Sequence, residues 1–180
     1  MKRLASILPL LLLSVASAEA PEELLDPAPI TKEAISLNLP KTWKEQPREV
    51  PHTLLIASPA SPDTDTTGDY LPVLIIRATP RSSTTGNVIN GDAQQTRVAS
   101  EMSNYQITEK PQQLSINGLD VTTFGGTFTQ GALKLRSRQY FILANDQLYS
   151  LTLITLASAW DARIPALDAS VHSFAIPTKK

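Results

Sequence analysis

The second half of the chain contains four apolar segments in succession, separated only by short turns. The segments are 113–116, 119–128, 133–144 and 147–156, and the turns between them are Asn117-Gly118, Gln130-Gly131 and Asn145-Asp146. Asn-Gly favours a tight hairpin because both central residues of a type I′ turn need positive φ. Strands joined by such short turns pair antiparallel. The sequence therefore predicts a four-stranded antiparallel meander.

Three shorter strands are predicted in the first half of the chain. In 34–39 the apolar side chains alternate and fall on one face, and Pro40 ends the strand. A second strand is predicted at 53–57, between two prolines. The third, 71–78, contains an apolar run without alternation, which is typical of a strand in the centre of a sheet.

Two helices complete the prediction. The first starts near Asp92 as N-cap and carries Val98, Met102 and Tyr105 on one stripe. The second has apolar residues at helical spacing from Trp160 to Phe174, but Pro165 lies inside the pattern, so its regular part is expected to begin near Ile164 or Pro165. The predicted fold class is α+β: a three-layer α/β/α sandwich with a mostly antiparallel sheet of about seven strands and helices on both faces.

The N-terminus has the three parts of a secretory signal peptide. Lys2 and Arg3 precede an apolar run, and the small residues 16–18 form a cleavage site. The run is too short to span a bilayer. We therefore predict a signal peptide at 1–18, a flexible tether at 19–32 and a single domain at 33–177. The expected location is periplasmic or secreted, with no membrane anchor in the mature chain.

Composition excludes several kinds of function. The chain has no cysteine, so disulfides, cysteine-based metal sites and a lipid-bearing cysteine are excluded. Its net charge of −1 offers no basic field for nucleic acid, and no nucleic acid partner is expected. The one close basic group, Lys134, Arg136 and Arg138, alternates along a strand and is interpreted as a solvated strand face.

The order of these elements resembles the PsbP-like fold. The resemblance lies in a short strand that ends in Pro-x-x-Trp (Pro40 to Trp43), the helix, the Asn-Gly hairpin, the long meander and a last helix that ends in Ser173-Phe174. It covers about 33–176 and includes the DcrB-type periplasmic proteins of bacteria. It implies a non-enzymatic accessory or binding module. No functional residue carries over, and the lipid-bearing cysteine of the DcrB-type proteins is missing.

No pattern in the sequence points to catalysis. His52 and His172 lack metal-ligand neighbours, and no Gly-x-Ser-x-Gly is present. Gly125-Gly126 lie inside a strand pattern and indicate a bulge or a close approach by the covering helix. We therefore expect neither an enzyme nor a cofactor. A hydrolase built on His52, with a nucleophile and an orienting acid within hydrogen-bond reach, is the least favoured hypothesis.

One loop partly matches a metal site. In 58–70, Asp63, Asp65 and Asp69 surround Gly68 in the way that a calcium loop begins, but its closing glutamate position holds Leu74. Any such site would have to be completed from elsewhere, and a solvated acidic loop is the alternative. The sequence thus leaves open two main functions. The first is an exported module that binds an envelope or extracellular protein through its loops or a sheet edge; the second is a carrier of a small ligand or calcium.

Overall fold

A computed structural model describes residues 24–33, 35–48, 50–81 and 88–177. The signal peptide predicted at 1–18 lies outside these residues. The elements in chain order are β1 (Ile30–Lys32), β2 (Ile35–Leu37), β3 (Trp43–Glu45), β4 (Thr53–Pro59), β5 (Asp63–Asp65), β6 (Gly68–Tyr70), β7 (Val73–Pro80), α1 (Gly91–Glu101), β8 (Gln106–Ile116), β9 (Leu119–Gln130), β10 (Leu133–Ala144), β11 (Gln147–Leu156), a 3-10 turn (Ala157–Ala159) and α2 (Trp160–His172).

Seven strands form one sheet in the order β3-β4-β7-β11-β10-β9-β8, and every neighbouring pair is antiparallel. This confirms the predicted α+β class and an antiparallel sheet of seven strands. The strand predicted at 34–39 is not one of them, since it forms β2, which pairs with β1 in a separate sheet, and β3 takes its place. The predicted meander is also confirmed, as the block β8 to β11. Strand β7 is an interior strand, with β4 on one side and β11 on the other.

The turns of the meander have the backbone that their residues favour. Asn117 and Gly118 have φ of 49° and 79°, and Asn145 and Asp146 have φ of 49° and 57°. Asparagine, aspartate and glycine tolerate this left-handed region better than other residues. These short turns connect β8 to β11, each of which is 10 to 12 residues long.

The larger part of the core lies between the sheet and α2. Leu167 and Val171 of α2 belong to the same buried cluster as Tyr140 and Ile142 of β10, and Phe174 just after the helix is fully buried in it. A fully buried side chain of this size contributes roughly 2 kcal/mol by leaving water. This face of the sheet therefore holds most of the folding energy.

A smaller cluster contains α1. Val98 packs with Phe124 and Phe141, whose rings are stacked 5.5 Å apart. Phe141 lies between Tyr140 and Ile142 along β10, and successive side chains of a strand point to opposite faces. The two buried clusters, one containing α2 and the other α1, thus include alternate residues of the same strand.

The helix boundaries differ from the predicted ones. Helix α1 is capped by Asn90, whose side chain accepts a hydrogen bond from Ala93 N at 3.0 Å, and it ends at Glu101, before Tyr105. Helix α2 begins at Trp160 and keeps Pro165 inside. Proline costs the helix the hydrogen bond to the carbonyl of Asp161. Burial of Trp160, only 3% exposed, favours the earlier start.

Two segments that were predicted to be irregular are structured. Residues 24–32 belong to the predicted tether, yet β1 pairs with β2, and Asp26 N donates to Leu39 O at 2.8 Å. The predicted loop 58–70 contains the hairpin of β5 and β6. Neither segment has an apolar period. The first is held by backbone hydrogen bonds to residues 35–41, and the second also by Thr155 and Arg163 far along the chain. Among the described residues, no helix has the length and apolarity needed to cross a bilayer.

Gly125 and Gly126 make room on the two faces of β9. A Cβ on Gly125 would lie 2.8 Å from the carbonyl oxygen of Ser137 and 3.0 Å from Glu109 Oε2. A Cβ on Gly126 would overlap the ring of Tyr105. The pairing of β8 with β9 is also irregular on either side of Glu109. The predicted close approach is therefore confirmed, although Tyr105 and Glu109 make it and not a helix.

We expect Gly126→Ala to lower the free energy of unfolding by about 2 kcal/mol, because the added methyl group overpacks a site with no spare volume. Denaturation by urea, followed by circular dichroism, measures this change. Gly131→Asn is the matched control: Gly131 has φ of 60° with open space around its Cβ, and asparagine tolerates that backbone. Equal stability of the two variants would contradict this account of Gly126.

Candidate functional site: an open sheet face and a paired charge cluster

Burial alternates along β7 and β11. In β11 the side chains of Leu151 and Leu153 are fully buried, whereas those of Ser150, Thr152 and Ile154 are only half-buried. Strand β7 repeats the pattern. The half-buried or exposed side chains on this side form what we call the open sheet face, made by Ile56, Val73, Ile75, Arg77, Ser150, Thr152 and Ile154.

The open sheet face is continuous across three strands. Ile75 lies opposite both Ile56 of β4 and Thr152 of β11, and Arg77 lies opposite Ser150. Directly opposed residues in an antiparallel pair share a face. Ser150 in turn lies opposite Phe141, which packs against α1. The open sheet face is therefore on the α1 side, next to the part that α1 covers.

A groove separates α1 from the open sheet face. It has a volume of about 180 Å³. On its helix side are Arg97, Glu101 and Met102, and on its sheet side are Ile75 and Thr152. Arg97 and Glu101 pair with each other at 2.8 Å and remain about half exposed. The groove thus combines an apolar floor with a charged rim.

The other side of the sheet carries a cluster of paired charges, which we call the arginine cluster. Arg138 donates from Nε to Glu109 Oε2 at 2.7 Å and from Nη1 to Asp168 Oδ2 at 2.6 Å. Arg136 donates to Glu109 Oε1 at 2.8 Å. The hydroxyl of Tyr140 donates to the second oxygen of Asp168. These contacts connect β8, β10 and α2.

Trp160 forms the base of the arginine cluster. The guanidinium carbon of Arg136 is 4.5 Å from the centre of the indole ring, and that of Arg138 is 5.5 Å away. Both distances are within the range of a cation–π attraction. The prediction that these arginines form a solvated strand face is therefore wrong for Arg136 and Arg138, whose side chains are 26% and 22% exposed. Only Lys134 is exposed.

The pKa values in the arginine cluster follow from its pairing. Burial opposes ionisation of Glu109, but hydrogen bonds from Arg138 and Arg136 outweigh it and hold the pKa of Glu109 below its ordinary value. Burial, reinforced by the charge of Asp168, raises the pKa of Tyr140. Each charge is satisfied by another member of the cluster, so this arrangement suits fixing α2 to the sheet.

The structure does not bring the three predicted calcium ligands together. Asp63 accepts hydrogen bonds from Arg163 Nε at 3.0 Å and from Thr155 Oγ1 at 3.0 Å. Asp65 accepts one from Ser158 at 2.6 Å, which together with Thr67 lowers its pKa. Asp69 is on the second strand of the hairpin and binds Thr64 at 2.7 Å.

No group of three or more His, Asp or Glu side chains in the described ranges is close enough to hold a metal ion. Strand geometry explains this for the hairpin. Asp63 and Asp65 are two residues apart and point to the same side, but Asp69 lies opposite Thr64 and points to the other side. The calcium site at Asp63, Asp65 and Asp69 stays a prediction without geometric support here.

The two histidines occupy surface positions. His172 ends α2, with Nδ1 2.8 Å from the carbonyl oxygen of Asp168. His52 is exposed and has φ of 62°. Within the described part of the chain its side chain makes no hydrogen bond, so the nucleophile and acid that a hydrolase would need are not in place around it. The hydroxyl-bearing residues 82–85 of the second long loop lie outside the described residues.

Sequence reasoning missed Glu109 and Asp168 as partners of the arginines. They are 29 and 30 residues from Arg138, and no periodicity links such distant positions. The one available signal was the alternation of Arg136 and Arg138 on a strand face that also carries the apolar Tyr140 and Ile142. Charged residues on a buried face need partners.

We expect Glu109→Gln to destabilise the protein by about 2 kcal/mol, because it leaves Arg136 without a charged partner in a partly buried place. Glu101→Gln breaks a pair that is more than half exposed and should change stability by no more than about 0.5 kcal/mol. Urea denaturation at neutral pH compares the two variants. Similar losses in both would mean that the arginine cluster is not structural.

The same pair predicts a pH dependence. The folded pKa of Glu109 is lowered, so its stabilisation is complete above the unfolded pKa of about 4.3 and is lost as the pH falls through the folded value. Wild type should therefore lose its advantage over Glu109→Gln between about pH 5 and about pH 3. A difference that stayed constant over this range would contradict the assignment.

Comparison with known proteins gives similarity at the level of structure. No family model and no curated protein matches the chain. Among solved structures, LpqN of Mycobacterium tuberculosis, a protein involved in cell envelope biogenesis, superposes with a TM-score of 0.57 at 13% identity, over 85% of this chain and 92% of that one. The cyanobacterial PsbP (CyanoP) of Synechocystis gives 0.57 at 13% identity, over 80% and 87%.

A third similar structure is PA94 of Pseudomonas aeruginosa, a protein of unknown function, with a TM-score of 0.51 at 18% identity, over 81% of this chain and 92% of that one. At such low identities the likeness concerns the fold and carries no functional residue. The predicted resemblance is confirmed at that level: this chain has the PsbP-like fold.

Proposed function

We propose that the chain is an exported, non-catalytic accessory module that binds an envelope or extracellular protein through its open sheet face. The observation that carries this proposal is the unequal covering of the sheet. One side is buried along β7 and β11, whereas the other leaves Val73, Ile75 and Ile154 half-buried beside α1. Apolar side chains left partly exposed in one continuous patch are typical of a protein-binding surface.

In this proposal the domain is the three-layer α/β/α sandwich expected from the sequence, with α1 as an incomplete outer layer. The alternate packing of Tyr140 against the α2 cluster and Phe141 against the α1 cluster supports it. Helix α1 contacts β8 and β9 at one end of the sheet. The remaining strands on that side are then free to receive a partner.

The chemistry of the patch suits a protein better than a charged polymer. Isoleucine and valine provide the apolar centre, Thr152 and Ser150 can hydrogen bond, and Arg77 is a cation at the rim. Interfaces combine an apolar centre with a polar rim in this way, and arginine is enriched in them. The exported location rests on the N-terminal leader pattern, and the role of LpqN in cell envelope biogenesis agrees with it.

Binding through a sheet edge is less favoured. Strand β8 is one edge, but Pro111 has no backbone N–H, and the ladder is irregular beside Glu109. The amide of Gln95 also donates to the carbonyl of Glu109 at 2.9 Å. Irregular pairing, proline and covering groups are the features with which proteins block strand addition. The opposite edge, β3, has only three residues.

A non-catalytic role agrees with how the charged groups are used. Glu109, Arg138 and Tyr140, whose pKa values are shifted, bind one another or Asp168 and leave no free base beside a nucleophile. Shifted groups in an active site are instead directed at a substrate.

We expect Arg77→Glu and Ile75→Ser each to abolish capture of a stoichiometric protein partner when the tagged chain is incubated with an envelope extract of its host. The first reverses the rim charge and the second removes the apolar centre. Lys134→Glu is the matched control, since it makes the same change in charge at an exposed position on the opposite side of the sheet. Mass spectrometry identifies the captured protein, and circular dichroism confirms that each variant is folded. Capture that survives both open-face variants would contradict the proposal.

A further inference from the structure

A second surface feature lies at the other end of β11, away from the groove. It is a cavity of about 440 Å³ between the β1–β2 turn, the start of β4 and the β10–β11 turn. We call it the end cavity. Its polar residues are Glu33, His52, Thr53, Asn145, Gln147 and Tyr149, and its apolar residues are Leu54, Ala78 and Pro80. This volume is within the usual range for small-molecule sites.

The polar side chains of the end cavity are unused. Within the described ranges, none of the six makes a side-chain hydrogen bond or an ion pair. Thr53 also lines the cavity, but its Oγ1 is buried without a partner and does not reach the open space. The polar atoms of the other five side chains are available to a ligand.

One other cleft is of similar size, about 460 Å³, and lies beside Glu109 and Arg138. It also contains a buried hydroxyl without a partner, that of Thr123, but its central charges, Glu109 and Arg138, bind each other. In the end cavity, donors and acceptors converge from three separate parts of the chain and remain available. Convergent polar groups over an apolar wall are characteristic of ligand sites.

The lining residues indicate the class of ligand. Among the described residues, no lysine or arginine lines the end cavity, so an anion finds no countercharge there. Glu33 is the one acid in that part of the lining, and it is exposed at the rim, where its attraction for a cation is weak. The amides of Asn145 and Gln147 each present a donor and an acceptor side by side, which matches neighbouring hydroxyl groups. Burial, reinforced by Glu33, raises the pKa of Tyr149, so its phenol stays neutral and can donate or accept.

We propose that the end cavity binds a small, uncharged, polyhydroxylated molecule of the saccharide class. The amides of Asn145 and Gln147 and the hydroxyl of Tyr149 bind its hydroxyl groups, and Leu54, Ala78 and Pro80 contact its C–H faces. This site is separate from the open sheet face and would operate whether or not a protein binds there.

The test is titration of the full, isotope-labelled chain with glucose and with maltose, followed by two-dimensional NMR. We expect saturable shifts confined to the backbone amides around Thr53, Asn145 and Tyr149, with a Kd in the range of about 1 mM. Titrations with putrescine and with acetate should leave these signals unchanged. Absence of shifts with both sugars at about 100 mM, roughly a hundred times that Kd, would overturn the proposal, and so would tighter binding of putrescine or acetate.

Variants separate the end cavity from nonspecific sugar contacts. Tyr149→Phe keeps the buried ring and removes the hydroxyl, and Gln147→Ala removes one amide. Each should weaken sugar binding by about 3- to 10-fold, the effect of one hydrogen bond. Lys134→Ala is the control, because Lys134 is exposed at the start of β10, far from the turn at Asn145 that borders the cavity. Equal affinity in all three variants would also overturn the proposal.

Discussion

Burial of one side of the sheet under α2 is the constraint on which the rest of the structure depends. Leu167, Val171 and Phe174 cover the middle strands, and the side chains beneath them are almost completely removed from water. The N-terminal hairpin is part of this arrangement, since Ser36 and Ala175 exchange two backbone hydrogen bonds at 2.9 and 2.8 Å. The first strands and the last residues therefore close the same core, although they are separated by almost the whole chain.

The charged residues on that side follow from the same constraint. Arg136 and Arg138 emerge from β10 where α2 begins, so they lose water and need countercharges. Glu109 from the edge strand and Asp168 from α2 supply them, and Trp160 fills the space beneath. Gly125 of β9 has no side chain, and this leaves room for the carboxylate of Glu109. Pairing within this cluster, together with burial, explains why the pKa values of Glu109 and Tyr140 are shifted.

The two proposed binding regions are the places where covering is incomplete. Helix α1 is short and lies over β8 and β9, which leaves the open sheet face on β4, β7 and β11. At the far end of β11, Thr53 and Tyr149 border a cavity that no other side chain of the described residues fills. In both places the described residues leave polar side chains without a hydrogen-bond partner. These are the positions at which a partner or ligand gains most.

The features that can be predicted from the sequence are those that depend on local chemistry. The turns at Asn117-Gly118 and Asn145-Asp146 were identified because they need positive φ, and the meander between them followed from the alternation of apolar residues. The start of α2 was predicted several residues too far along the chain. The rule used for Pro165 considers only the helix backbone and not the burial of Trp160. The hairpin at 63–70 was missed, because its stability comes from Arg163, Thr155 and Ser158 far along the chain.

For the candidate sites, the difference between what the sequence predicts and what the structure adds is larger than for the fold. The sequence by itself determined the class of the fold, the antiparallel meander and the absence of cysteine chemistry, because these depend on residue type and on spacing within one element. Only the tertiary structure decided which charges are paired, which side of the sheet is open and which polar side chains converge on the end cavity. Those properties depend on contacts between residues of different elements. Such contacts contribute to the free energy of the fold, but they produce no periodic pattern in the sequence.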